Sequence, residues 1–153
     1  MQLTPTYLNK LADSFPDIKL QAASNFKWSP DEQTVYYDQT DPDAAQYLLH
    51  EISHALLSHT NFSRDIELLK LERDAWDYAS SQLADRFETT IDDDLVQDSL
   101  DTYRDWLHSR SSCPKCASTG IQNAANSYQC PACQQKWRVN DGRGCQLRRY
   151  KIK

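Results

Sequence analysis

Cys113-Pro-Lys-Cys116 and Cys130-Pro-Ala-Cys133 are two Cys-x-x-Cys turns separated by 13 residues. No other feature restricts the fold of this chain as strongly. Each turn presents two thiolates, and two such turns close a tetrahedron around one metal ion, for which zinc is the natural occupant. Four protein ligands leave no open coordination position, so this site is expected to be structural. A segment of about 40 residues has too little core to fold unaided, so metal binding and folding are expected to be one event.

Residues 127–140, "SYQCPACQQKWRVN", read as a strand, a knuckle and a return strand, with Trp137 and Val139 forming the small core. In this the segment resembles a zinc ribbon. Thiol exchange is the competing use of such cysteine pairs, but nothing thioredoxin-like surrounds them. The fifth cysteine, Cys145, is left over and is expected to be a small buried hydrophobe in the last strand.

Charge marks the same boundary. Residues 1–110 carry 9 Lys+Arg and 21 Asp+Glu, a net of −12, while residues 111–153 carry 8 and 1, a net of +7. The chain is therefore expected to be a domain over 1–110 followed by a zinc ribbon over 111–153. The basic ribbon, densest in charge at Arg148 to Lys153, makes nucleic acid a conceivable partner. A solvated face, or a tail docking on its own acidic domain, is the plainer account. No apolar run approaches the ~18–20 residues of a membrane span, and Met1 to Lys10 lack a signal-peptide layout. A cytoplasmic location follows as an expectation, and it favours metal ligation over disulfides.

Local signals give the order α-β-β-α-α-α before the ribbon, an α+β fold. Thr4-Pro5 predicts a helix to about Ser14 with Leu8 and Leu11 inward. Ile18 to Lys27 and Gln33 to Tyr37 read as two strands of a hairpin around the Ser29-Pro30-Asp31-Glu32 turn. Asp41-Pro42 repeats the cap-plus-proline device and predicts a helix to about His59. A long helix is expected over Ser63 to Phe87. Another is expected over Asp93 to Ser109, with Leu95, Val96, Leu100, Tyr103 and Leu107 along one stripe.

The second of these four helices carries "LLHEISHALLSH", Leu48 to His59. Residues four apart lie one turn apart on the same helix face, so His50 and His54 can present both imidazoles to one ion. Glu51, about 100° around the helix, can reach a water on that ion and take its proton as general base. A third ligand must come from elsewhere. On the next helix Glu72 shares its phase with Leu68, Leu69, Ala75, Trp76 and Ala79, whereas Asp74 falls with Glu67, Lys70, Asp77 and Ser81 on a solvated face. An inward carboxylate is costly unless paired or metal-bound. Asp65 has a similar phase, but the level along an antiparallel pair of helices favours Glu72 and leaves Asp65 in reserve. His59 is expected to have a structural or capping role.

"LLHEISHALLSH" followed by "LERDAWDYA" resembles the ImmA/IrrE family of metallopeptidases over roughly Lys19 to Leu83. The resemblance implies a zincin-like domain, a catalytic zinc held by His50, His54 and Glu72, and Glu51 as catalytic base. It further implies hydrolysis of an intracellular protein, often a transcriptional regulator. Trp76 stands where that family usually has a small polar residue, and the spacer from His54 to Glu72 is short. "TVYYD" is a candidate shelf for a peptide added to the hairpin edge, and simple packing on the helix pair is an equal account of it. Tyr36, Tyr37, Tyr78 and His108 are all able to stabilise an oxyanion, and the sequence does not choose among them. The alternative is a non-catalytic zinc protein whose ribbon binds nucleic acid or a protein partner.

Overall fold

The computed structural model of the chain describes residues 2–143 and 145–153. Among them are four α-helices, one turn of π-helix and two small sheets, an α+β architecture. The chain divides into two compact units, Met1–Asn61 with Leu71–Val96, and Phe62–Lys70 with Gln97–Lys153. No helix among the described residues is long and apolar enough to cross a membrane.

In the first unit α1 spans Pro5–Ser14, and the Thr4 hydroxyl accepts the Tyr7 N–H at 3.1 Å, as the Thr4-Pro5 pair predicts. The sheet departs from the expected hairpin. The stretch 18–27 is two strands, β1 (Lys19–Ala22) and β2 (Lys27–Ser29), separated by a turn through Ser24-Asn25. Both residues favour turns because their side chains compete for the backbone. β3 (Thr34–Tyr37) lies between them: β1 runs parallel to it with Leu20 beside Val35, and β2 antiparallel with Trp28 beside Val35. Gln33, at φ 50°, closes the turn that returns β2 into β3.

α2 covers Ala44–Leu56 and packs on β2 and β3. It begins two residues after the position that Asp41-Pro42 suggested. The Asp41 carboxylate instead accepts the Asp43 N–H at 2.7 Å, forming a turn ahead of the helix. Ser58, at φ 56°, ends it before His59. Leu48, Leu49 and Ile52 are completely buried with Leu11 and Val35, and Leu83 and Phe87 complete the core.

α3 covers Asp65–Tyr78 and is followed by a π-helical turn over Ala79–Leu83, where the Ala84 N–H reaches the Ala79 carbonyl at 2.8 Å. An uninterrupted helix to Phe87 was expected. Ala79, Leu83 and Phe87 keep helical spacing, so periodicity has no way to register the widened turn.

In the second unit α4 (Asp93–Ser111, its first four residues in the other unit) buries Leu100, Trp106, Arg110 and Ser111, while most of the expected stripe is half-buried. Four antiparallel strands follow in sequential order: β4 (Ile121–Ala124), β5 (Ser127–Gln129), β6 (Lys136–Val139) and β7 (Arg149–Ile152). Tyr128, Cys130, Trp137 and Val139 form their core. Gly120 is required here, because a Cβ at that position would lie 2.2 Å from Trp137 Cη2. Cys145 is exposed and precedes β7, contrary to the expected buried strand position; its sulfur is approached by the Asn140 amide at 3.6 Å.

Candidate metal centres

α2 has too many apolar residues for one face, so it is buried around much of its circumference, and His50 and His54 are carried inside with it at 4% and 7% exposure. Their ring centroids are 4.6 Å apart and their Nε2 atoms 3.1 Å apart. Glu72 of α3, 7% exposed, brings one carboxylate oxygen to 2.9 Å from His50 Nε2 and the other to 3.4 Å from His54 Nε2. The three residues offer ligand atoms within 4.8 Å of one another.

These separations suit a cation. Zinc–nitrogen and zinc–oxygen bonds of 2.0–2.1 Å in a tetrahedron imply ligand–ligand edges of about 3.3 Å. Two lone pairs of Nε2 and an anionic oxygen converging at that spacing need a positive charge between them, either a proton or a metal. Burial pulls the His54 imidazolium down, yet the hydrogen bond and charge of Glu72, with Glu51 adding to them, carry its pKa above the usual histidine value. Burial also pushes Glu72 up, but hydrogen bonds and charge from His50 and His54 hold it well below the carboxylate range. Without metal, a proton on His54 therefore takes the cation's place.

The surroundings orient the rings. His54 Nδ1 and His59 Nδ1 are 2.8 Å apart, so one donates to the other. With the proton on His54 Nδ1, its Nε2 lone pair faces the site. The His59 carbonyl in turn accepts the Trp28 indole N–H at 3.1 Å. His50 stacks on Trp76, with centroids 4.1 Å apart and planes at 21°. Trp76 is thus the wall behind His50. His50 Nδ1 is a buried nitrogen with no hydrogen-bond partner among the described residues. Glu51 is half-buried beside the rings, and burial raises its carboxyl pKa against the opposing pull of His50 and His54. The backbone amide of Trp28 also favours its charged form.

Other expected participants lie elsewhere. Asp65, the reserve ligand, is buried in the second unit, where it contacts Tyr128 Oη, Arg110 Nε at 3.3 Å and Gln122 Nε2 at 3.3 Å. "TVYYD" is not a shelf: β3 is the central strand with a partner on each side, so it has no edge for a peptide. β1 and β2 hold the edges. Tyr36 donates to Glu32 and Tyr37 is buried in the core. Tyr78 lines a hollow of about 400 Å³ with Leu57, His59 and Asp77.

The second centre is formed by Cys113, Cys116, Cys130 and Cys133. Sγ atoms of Cys113 and Cys133 are 3.6 Å apart, and those of Cys116 and Cys130 3.5 Å. Tetrahedral zinc thiolates at about 2.3 Å imply edges of about 3.8 Å. Hydrogen bonds from Ser118 lower Cys116 to about 6, while Cys133 rises to about 11. The Gln135 N–H favours the Cys133 thiolate, but burial and the three neighbouring sulfurs outweigh it. Four sulfurs this close cannot all ionise unless a cation joins them. Both groups can hold a metal ion, and their donor sets suit zinc.

Sequence reasoning missed the roles of Trp28 and Trp76 and the contact between His54 and His59. The signal was present: two tryptophans and a third histidine within reach of the motif. No protein-family model, curated protein or solved structure matches this chain.

Proposed function

We propose that this protein is a zinc-dependent endopeptidase that cleaves a protein inside the cell. Its first unit is zincin-like and similar to ImmA/IrrE metallopeptidases, and its zinc ribbon serves docking. One observation carries the reading. Two imidazole nitrogens and a carboxylate converge on one point from α2 and α3, while Glu51, next in the chain to His50, stays outside that set with a raised pKa.

Zinc held by His50, His54 and Glu72 would supply Lewis acidity and make a water acidic near neutral pH. Glu51 accepts a proton from the attacking water and passes it to the departing amine. Its raised pKa narrows the gap to a neutral working pH, which suits a group that must both take and return a proton. β2 offers the peptide an edge strand, and its Trp28 amide is the one that stabilises Glu51. With the proton on His54 Nδ1, the contact with His59 leaves His54 Nε2 free for the metal.

The test uses the full-length protein with both metals. Wild type incubated with host lysate is expected to generate new protein termini that a chelator abolishes. Glu51→Gln is expected to retain two metals per chain and generate none. Termini produced equally by that variant would refute the hydrolase and leave both metals structural.

A further inference from the structure

The four-stranded sheet of the second unit has one face packed on its core and one face open. Strand register assigns the open face. Tyr128, Trp137 and Val139 point inward, so their neighbours along the strands point out. Gln129 pairs with Ile121 on one side and Lys136 on the other, Lys136 pairs with Ile152, and Arg138 pairs with Tyr150. Cross-strand partners share a face, so these six side chains make one continuous surface. Ile121 is 63% exposed, Ile152 42% and Tyr150 37%, three of the largest exposed apolar side chains among the described residues. The Arg138 guanidinium lies 4.3 Å from the Tyr150 ring centroid.

We propose that this face binds single-stranded nucleic acid. Charge complementarity names the occupant. Residues 111–153 carry eight cations and one acid, Asp141, which lies outside the four strands. Lys136 and Arg138 are two residues apart on β6, about 6.7 Å, and form a cationic track across the face. Tyr150 with its stacked arginine, flanked by Ile152, is a platform on which a base stacks, and such platforms accept any base. β7, with Arg149 and Lys151 on the opposite side of the strand, adds positive charge along the same edge. A protein partner fits less well, since lysine is depleted from protein–protein interface cores. Edge protection against strand addition explains exposed lysines, but it does not explain an exposed tyrosine and two isoleucines. Beside Ile121 and Gln129 the surface continues into a hollow of about 340 Å³, large enough for one base. This inference is independent of the hydrolase reading.

The probe is a fluorescein-labelled twelve-nucleotide oligo-dT, with oligo-rU and a duplex of equal length beside it, titrated with full-length protein by anisotropy. The single strands are expected to bind and the duplex more weakly, with affinity falling as salt rises at a log–log slope of roughly −0.7 per phosphate neutralised. Tyr150→Ala is expected to lose about tenfold, and Tyr150→Phe to bind as wild type. Lys136→Gln with Arg138→Gln is expected to lower both affinity and salt slope. Each variant is first checked for metal retained by the four cysteines, so that misfolding is not mistaken for lost binding. Failure to bind at low salt, binding unchanged by the double substitution, or equal competition by poly-glutamate would overturn the proposal; the last outcome would point to an acidic protein segment.

Discussion

The carboxylate of Glu72 stands 2.9 Å from His50 Nε2 across a separation of 22 residues, and both side chains are buried. At 4% and 7% exposure, both are largely withdrawn from bulk solvent. Glu72→Ala therefore removes a candidate ligand and leaves the histidine pair without its anion. It is expected to reduce bound zinc from two to one per chain while the cysteine site keeps its ion. With only the ribbon metallated, stability should also drop by about 3 kcal/mol, the usual size for one partner lost from a buried ion pair. Elemental analysis and urea unfolding report the two effects separately. Two retained zinc ions in the variant would remove Glu72 from the site.

Protonation of this group sets a pH window. His54 is raised above its ordinary 6.5, so its contribution is complete below 6.5 and is lost as pH rises through the higher folded value. Glu72 is depressed below its ordinary 4.5, so its contribution is present above 4.5 and is lost as pH falls through the lower folded value. With only the ribbon metallated, the pair is thus expected to stabilise most between about 4.5 and 6.5. Zinc must displace the proton on His54, so its affinity for the front site should climb with pH until the raised folded value is passed. Calorimetry in buffers of different ionisation enthalpy measures the proton released. Zinc binding without proton release near pH 6.5 would contradict a protonated His54.

His59 is expected to act on the metal through His54. His59→Ala frees the His54 ring to rotate and to change tautomer, and a 10- to 100-fold weakening of zinc at the front site is expected. His59→Asn, whose side-chain amide offers both a donor and an acceptor, should recover part of that loss. The measurement is competition against a zinc indicator of known affinity. Equal affinity in wild type and His59→Ala would show that the 2.8 Å contact does no orienting.

Arg110 is a buried cation in the second unit, bonded to Asp65, Tyr128, Asn126 and the Asn140 and Asp141 carbonyls. Arg110→Met strands Asp65 in the interior, where burial and Asp65 already push the Tyr128 hydroxyl far above its ordinary pKa. A loss of about 3–5 kcal/mol is expected. Arg110→Met combined with Asp65→Leu should recover much of it, because no lone charge remains. Denaturant midpoints of the two variants decide; similar losses in both would place the cost in packing instead of charge.

Gly120 is a question of volume. Its missing side chain makes room for the Trp137 ring. Gly120→Ala is expected to destabilise the second unit by roughly 1–3 kcal/mol through overpacking and to speed zinc loss to a chelator. Trp137 fluorescence follows the unfolding, and an unchanged release rate would show that the ring simply moves aside.

How much was legible in advance differed by type of information. The helix at Thr4-Pro5, the two cysteine knuckles with Trp137 and Val139 as their core, and the inward phase of Glu72 could all be read from the chain. They depend on interactions within a turn or two, where spacing maps directly onto geometry. The parallel pairing of β1 with β3, the interruption at Ser24-Asn25 and the π turn after Tyr78 could not. Asp65 reads as a spare ligand because its partner Arg110 lies 45 positions away, beyond what local period registers. Sequence alone determined which residues are able to ligate a metal, since that is a matter of donor chemistry and local period. Only the tertiary structure decided which of them meet, because burial in a shared interior forces each buried charge to find its partner regardless of distance along the chain.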